Sequence, residues 1–400
     1  MPARFCPSGQ LGSPHTLHTF ANHTSQRNDQ NLQKSAITHT RKKLIMRIKF
    51  LKASKGDCFL ISFTDDSDVS RNILIDGGMR ETYFDSTNNH EGQLKLEIDR
   101  IRKDKEKIDL LILTHIDNDH ILGLLKWFEM DSNVHKLVEN VWFNSGKLIA
   151  EYLKEPENPD LELDLKIVRT TNTGVNEAIE FEKYLLDNKI WKRKIVLSGA
   201  VLNEKGVYIQ LLSPNNEQLR KLLIEYKKKT GDPAYTGGSS KDWNVSFKDL
   251  IEDEALNYKK PKDDSPKNQS SITFILTMEN RSFLFLADAP SDEIVIALHK
   301  MGYNKDNQLG VEFMKVSHHG SKNNTCDELL EIVKTDNYLI STDSSSHGHP
   351  NKRTLARILK SNPNATFHFN YEHVKDGVVN RQDFIDYKFL KAFVTTEFKY

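Results

Sequence analysis

The stretch IDLLILTHIDNDHILGLL, Ile108 to Leu125, is two apolar runs separated by a short polar segment that carries His115, Asp117, Asp119 and His120. Ile108 to Leu113 is short, rich in Leu and Ile, and preceded by a charged segment, the pattern of a strand buried on both faces. Ile121 to Phe128 carries its bulky residues at helical spacing. The four ionisable side chains therefore fall in a strand-to-helix connection, at the carboxyl end of a buried strand, where open α/β sheets place their ligands. Imidazole nitrogens and carboxylate oxygens converging over so short a segment suit divalent metals such as Zn²⁺, Mn²⁺ or Fe. Helix capping by Asp117 or Asp119 would need one of the four and leave three without a role.

Outward from this segment, the upstream chain reads as strands over Met46 to Lys52, Cys58 to Phe63 and Asn72 to Ile75, the first two joined by a turn with Gly56 and Asp57. The third ends in Asp76-Gly77-Gly78, and Glu97 to Lys105 reads as a charged helix. Asp76 reads as a carboxylate that braces the site rather than a ligand. Downstream, Val138 to Asn144 is a strand, Phe181 to Leu186 is helical and Val207 to Leu212 is a strand. From about residue 214 to 267 the composition turns to Lys, Asp, Glu, Gly and Ser, which reads as a partly helical insertion. Asn268-Gln269-Ser270-Ser271 then leads into a hairpin whose second strand, Ser282 to Leu286, delivers Asp288 to the sheet's end. Glu312 to Ser317 is a buried strand ending in His318-His319-Gly320-Ser321, and Tyr338 to Ser341 leads to Ser346-His347-Gly348-His349-Pro350. Two adjacent histidines on a strand end point in different directions, so one at most is a ligand and the other is placed to shuttle protons. His135 reads as a surface residue, and His347 as a weaker candidate than His349. Thr366 to Tyr371 and Ala392 to Phe398 read as closing strands.

THIDNDH resembles the metal-binding motif H-x-H-x-D-H of the metallo-β-lactamase superfamily, with Asp117 in the place of the second histidine. H-x-D-x-D-H is similar to the metallo-β-lactamase-like domain of the ComEC/Rec2 type, found on a DNA-uptake channel protein. The G-D turn, I-D-G-G, N-x-S-S, a second G-D with Ala287 in place of glycine, K-V-S-H-H-G-S and G-H-P resemble the family's motifs, in its order, over about Met46 to Lys360. The third histidine usual in the superfamily has no counterpart, since no histidine occurs between His135 and His299. The resemblance implies an α/β protein with the αββα sandwich fold. It implies two divalent metal ions, Mn or Zn with Mg as a further option, and hydrolysis by a metal-activated water. His115, Asp117, Asp119, His120, Asp288, His318 and His349 are the implied ligands. Asp119 and His319 take catalytic roles, His319 as proton donor to the leaving group. Asn268, Ser270, Ser271, Lys315 and Ser321 are candidates for holding the substrate. The implied activity is that of a phosphodiesterase or nuclease acting on DNA, single strands preferred. A small ester, lactone or cyclic nucleotide is the alternative substrate class, and a non-catalytic metal-binding interaction module the alternative function.

Lys and Arg total 56, as do Asp and Glu, so no whole-protein field draws nucleic acid and any polyanion must be held locally. Cys6, Cys58 and Cys326 lack paired spacing, which points away from a disulfide framework and toward a reducing compartment. No apolar run suits a bilayer or a signal peptide, so a cytoplasmic protein with no membrane contact is expected. Its partner proteins are not legible. Residues 1–45 are polar and poor in large apolar side chains, and are expected to be a disordered extension to a folded domain over 46–400. Met46 begins the folded part, or translation itself. A segment that buries little apolar surface has nothing to offset its ordering entropy. A chain beginning at Met46 is therefore expected to keep its melting temperature and turnover; a drop of several degrees in a thermal melt would show that the extension packs on the domain.

Overall fold

The computed structural model describes residues 46–154, 174–228 and 241–400. The extension expected to be disordered lies outside these residues, as do two stretches of the chain between them. In chain order the strands are β1 (Met46–Phe50), β2 (Phe59–Thr64), β3 (Ser70–Ile75), β4 (Phe84–Asp85), β5 (His90–Glu91), β6 (Leu110–Ile112), β7 (Val141–Trp142), β8 (Val201–Glu204) and β9 (Val207–Ser213). They continue as β10 (Thr273–Met278), β11 (Arg281–Phe285), β12 (Leu309–Gly310), β13 (Met314–Lys315), β14 (Val333–Lys334), β15 (Asn337–Ile340), β16 (Thr366–Phe369), β17 (Lys391–Val394) and β18 (Glu397–Lys399). Two large mixed sheets result. One has the order β18-β1-β2-β3-β6-β7 and the other β17-β16-β15-β13-β11-β10-β9-β8, with β4-β5 and β12-β14 as two-stranded ladders.

The layering follows from side-chain alternation, because successive residues of a strand face opposite sides. Ile73 and Ile75, Leu110 and Ile112 of the first sheet share an apolar cluster with Phe274, Leu276, Phe283 and Phe285 of the second. That cluster is the dry layer between the sheets. The intervening Leu74 and Leu111 turn outward to Leu94, Ile98, Ile121, Leu124 and Phe128, which lie on helices Gln93–Lys103 and Asn118–Met130. Ile275 and Leu284 turn the other way, to Ile294, Leu298, Leu355 and Ile358 of helices Ser291–Lys300 and Lys352–Ser361. The protein is thus α/β with an αββα sandwich, as expected. The unbroken apolar runs of the central strands reflect burial on both faces.

Strands β3, β6 and β7 run parallel in the first sheet, and β11, β13, β15 and β16 in the second. Their carboxyl ends carry Asp76, His115, Asp288, His318 and Ser341, so both parallel blocks deliver polar groups to one rim. Ala392 to Phe398, expected as one closing strand, is two. β17 pairs with β16, β18 pairs with β1, and the chain crosses between the sheets at Thr395 and Thr396. Thr395 N–H donates to the Phe369 carbonyl at 2.8 Å and Phe50 N–H to the Thr396 carbonyl at 2.8 Å. The polar stretch from Glu217 to Lys267, expected to be partly helical, includes among the described residues the helices Asn216–Lys227 and Phe247–Asn257, the second packed on Lys352–Ser361 through Phe247 and Leu250.

That second helix is fixed by a buried ion pair. Lys352 Nζ lies 2.6 Å from Asp383 Oδ2, both fully buried, while the Phe247 N–H donates to Asp383 Oδ1 and the Lys352 ammonium stands 4.8 Å from the Phe247 ring centroid. Removing one member leaves the other charged and without water. Asp383→Asn is expected to destabilise the fold by about 3–5 kcal/mol in a denaturant titration. A loss under about 1 kcal/mol would show that Lys352 finds another partner.

Candidate metal centre

The strand-to-helix connection folds as its sequence requires. β6 ends at Ile112, Leu113 N–H bonds to the Trp142 carbonyl, and helix Asn118–Met130 begins immediately after Asp117. Asp117 occupies the N-cap position yet makes no side-chain cap bond. Its carboxylate points instead to His115 Nε2 at 3.7 Å and to Lys267 Nζ at 3.2 Å. The capping alternative therefore fails on geometry. Asp288 likewise caps nothing, since Pro290 takes the N-cap position of the next helix.

Asp288 is the hub. Its oxygens lie 3.8 Å from His115 Nε2, 3.6 Å from His120 Nε2, 3.7 Å from His318 Nε2 and 3.4 Å from His319 Nε2. Asp119 Oδ2 is 3.5 Å from His319 Nε2. These separations exceed hydrogen-bond length. They match the roughly 3.4 Å expected between two ligand atoms each about 2.1 Å from a tetrahedral ion. The buried atoms His115 Nε2, His120 Nε2, His319 Nε2 and Asp288 Oδ1 have no hydrogen-bond partner. An unpaired buried polar atom costs about 1–3 kcal/mol, and here four lie around Asp288. A divalent cation among three of these donors would satisfy them, so the residues present fit a metal. Among the described residues, His115, His120 and Asp288 form one donor cluster and Asp119, His120 and His319 another.

Other residues hold this set in place. Asp76 accepts from Thr114 N and Thr114 Oγ1 at 2.7 Å each, and lies 2.8 Å from His120 Nδ1, which turns His120 Nε2 inward. It is a bracing carboxylate, as the sequence suggested. Asp57 contacts Lys315 Nζ and lies 3.4 Å from His319 Nδ1, which is also 2.8 Å from the Ser341 carbonyl. Gly56 lets this turn approach: a Cβ there would lie 1.6 Å from the Asp119 carbonyl oxygen.

The electrostatics follow from burial opposed by neighbours. Burial would raise Asp288, but His319, His318 and His120 hold it well below the usual carboxylate range. Burial would lower His120 and His319, but Asp288 with Asp76, and Asp288 with Asp57, raise them well above the ordinary imidazole range. At Asp57 burial is outweighed by Lys315 and His319, which bring it down to about 2. Burial lowers His115, with His120 adding to the effect, and holds His349 well below the ordinary range, reinforced by His318.

His318 and His319 do not sit on a strand end. They form a tight turn, Ser317–Gly320, with φ of 46° and 53°, a left-handed backbone that L residues seldom adopt and that concentrates at functional sites. Both imidazoles, expected as ligand (His318) and proton donor (His319), bring Nε2 within 3.7 Å of Asp288. His319 Nε2 faces Asp119, Asp288 and the His120 ring. His318, a quarter exposed, is held at Nδ1 by Asp263 and Asn324 at 3.2 Å each and turns Nε2 toward the cleft. His349 is buried with its ring 5.1 Å from that of His318, and His347 lies 6.0 Å further out. His135 is exposed and elsewhere.

Of the expected substrate-holding groups, Lys315 is buried and engaged by Asp57 and by the Ala287 carbonyl at 2.9 Å. Ser270 Oγ donates to the Lys267 carbonyl, and Ser321 Oγ accepts from Asn323 N. Asn268 Oδ1 and Ser271 Oγ are buried with no partner. Sequence reasoning passed over Asp57 as a site residue, and Asp263, Asn324 and Lys267 altogether. Asp57 had a signal in its G-D turn, whereas Asp263 and Lys267 are ordinary residues of a charged stretch.

Residues 53–178, which include the central segment, match the family model described as the metallo-beta-lactamase superfamily. No curated protein matches the sequence. Among solved structures, the metallo-beta-lactamase fold protein YhfI from Bacillus subtilis is similar at 11% identity over 90% of this chain and 99% of its own, TM-score 0.40. Zn(2+)-bound PqqB from Methylobacterium extorquens is similar at 9% identity over 89% of this chain and 99% of its own, TM-score 0.37. A long form RNase Z from yeast is similar at 14% identity over 75% of this chain and 36% of its own, TM-score 0.35. The family match spans under half of the chain and takes in His115, Asp117, Asp119 and His120. No helix among the described residues is long and apolar enough to cross a membrane.

Gly56→Ala tests the packing under Asp119. The added methyl must displace the Asp119 backbone, so metal content by elemental analysis and the melting temperature are both expected to fall. Wild-type metal content in this variant would show that the centre does not depend on that contact.

Proposed function

We propose that the protein is a metal-dependent phosphodiesterase that cleaves nucleic acid, single-stranded DNA in preference to duplex. The observation that carries the reading is the convergence of His115 Nε2, His120 Nε2, His319 Nε2 and Asp288 Oδ1, buried and unpartnered, with the Asp119 and Asp117 carboxylates beside them. A donor set with this share of carboxylate suits hard ions, Mn²⁺ or Mg²⁺ ahead of Zn²⁺, and those ions pair well with phosphate oxygens. The H-x-D-x-D-H and H-H-G-S motifs, which resemble the ComEC/Rec2 type, support the same substrate class.

In this reading His115, Asp119, His120, Asp288 and His319 hold the metal. A divalent ion there supplies a water of lowered pKa and positive charge for the attacked phosphate. Asp119, at the edge of the centre, orients the attacking water. His318, fixed at Nδ1 by Asp263, presents Nε2 to the cleft as proton donor to the leaving oxygen. His349 packs against the His318 ring and limits its rotation. Lys322, exposed beside Ser321, is a cation placed to meet a further phosphate. With no net charge on the chain, a strand is gripped at few points.

The test is cleavage of single-stranded DNA, duplex DNA, RNA and a generic phosphodiester ester under Mn²⁺, Mg²⁺ and Zn²⁺. Single strands are expected to be cut fastest under Mn²⁺, with binding weakening only modestly as salt rises, a log–log slope of about −2 or shallower. Rapid hydrolysis of lactones or small esters with no nucleic acid cut under any metal would overturn the substrate assignment. Changing Asp119 and His120 together to Ala is expected to lower turnover by more than about 100-fold and to reduce metal content, the sheet remaining folded. Unchanged metal content in that double variant would sink the centre itself.

A further inference from the structure

Asp117 stands apart from the other acidic groups of the centre. Among the described residues it belongs to none of the clusters in which three donor atoms lie within 4.8 Å of one another. Its Oδ2 faces His115 Nε2 at 3.7 Å, but its Oδ1 is 3.2 Å from Lys267 Nζ. Lys267 is placed for this contact. It lies in the one-turn helix Pro266–Gln269, capped by Ser265, and Ser270 Oγ donates to its carbonyl at 2.7 Å. The side chain is only 17% exposed.

The chain on the far side of the pair is Gly174, with φ of +93°. A Cβ there would come within 2.7 Å of the Ile116 carbonyl oxygen, 3.2 Å of Lys267 Nζ and 3.5 Å of Asp117 Oδ1. Glycine thus leaves room for the ammonium and carboxylate to meet, and it brings no donor of its own. No histidine lies between His135 and His299 to supply an imidazole from this side. A doubly charged ion bound to Asp117 would sit within a few ångströms of the ammonium, and like charges so close oppose each other.

We infer that Lys267 supplies at Asp117 the positive charge that a second ion would otherwise supply, so that the centre is built for one tightly held ion and one ammonium. This rests on the metal-centre reading above and departs from the two ions that the motif resemblance implies. An anionic group of the substrate would then bridge the ion and Lys267 Nζ, which fixes its orientation across the cleft.

The experiment counts Mn²⁺ per chain by elemental analysis and calorimetric titration in the full-length protein and three variants. Wild type and Lys267→Arg, which keeps the charge, are expected to bind one ion. Lys267→Gln, with Asp117 freed, is expected to bind two. Lys267→Gln combined with Asp117→Asn is expected to return to one. Two ions of comparable affinity in wild type would overturn the inference, as would a count of one in Lys267→Gln with a wild-type melting temperature. No ion in any of the four would instead sink the metal-centre reading itself.

Discussion

A carboxylate with almost no access to water, Asp288, lies within 3.8 Å of four imidazole nitrogens and 3.7 Å from the Lys315 ammonium. Charge in such a place is tolerated only if partners surround it, and the partners here arrive from both sheets. His115 and His120 come from the connection after β6, His318 and His319 from the turn after β13, and Lys315 from β13 itself. The two sheets must therefore stack in one register for the hub to be neutralised at all. Asp57 and Asp76 extend the same logic outward, each giving a second carboxylate to a buried group, Lys315 and His120, that also faces Asp288. The centre is a connected network in which a group lost at the edge leaves an unpaired charge further in.

The backbone around the hub carries local strain that this network holds. Ala287, His318 and His319 all adopt positive φ. Glycine would adopt such a backbone at the first of these positions without strain. With alanine in its place the conformation is secured by its carbonyl, which accepts from His318 N and from Lys315 Nζ, each at 2.9 Å. Strain of this kind persists where surrounding contacts over-determine it, and here those contacts are the ones that aim the histidines.

How much of this was legible in the sequence divides along a physical line. The donors of the centre are local in sequence, because a strand end and the turn after it present several side chains at once. His115 to His120 and His318-His319 could therefore be read directly, and the apolar runs beside them gave the buried strands and the sandwich. The residues that aim those donors arrive across the fold. Nothing in the composition around Asp263 or Lys267 separates a carboxylate bonded to His318, or an ammonium bonded to Asp117, from the solvated charges beside it. The left-handed turn at His318 and His319 was illegible for another reason, since it contradicts the local preference of both residues and is imposed by tertiary contacts. The run Ala392 to Phe398 looks like one strand because nothing in it marks a break; only the presence of two sheets to pair with makes it two.

That crossing has a mechanical consequence. β17 and β18 form the margins of the two sheets on one side, and a single peptide link at Thr395 and Thr396 joins them. On the opposite side the margins are β7 and β8, and there the chain after β7 meets the chain before β8 through the Asn144 side chain, which exchanges two hydrogen bonds of 2.9 Å with Val196. The two sheets are therefore tied at both margins, by the chain itself beside β17 and β18 and by one side-chain amide beside β7 and β8. Replacing Asn144 would remove the second tie and leave the first in place.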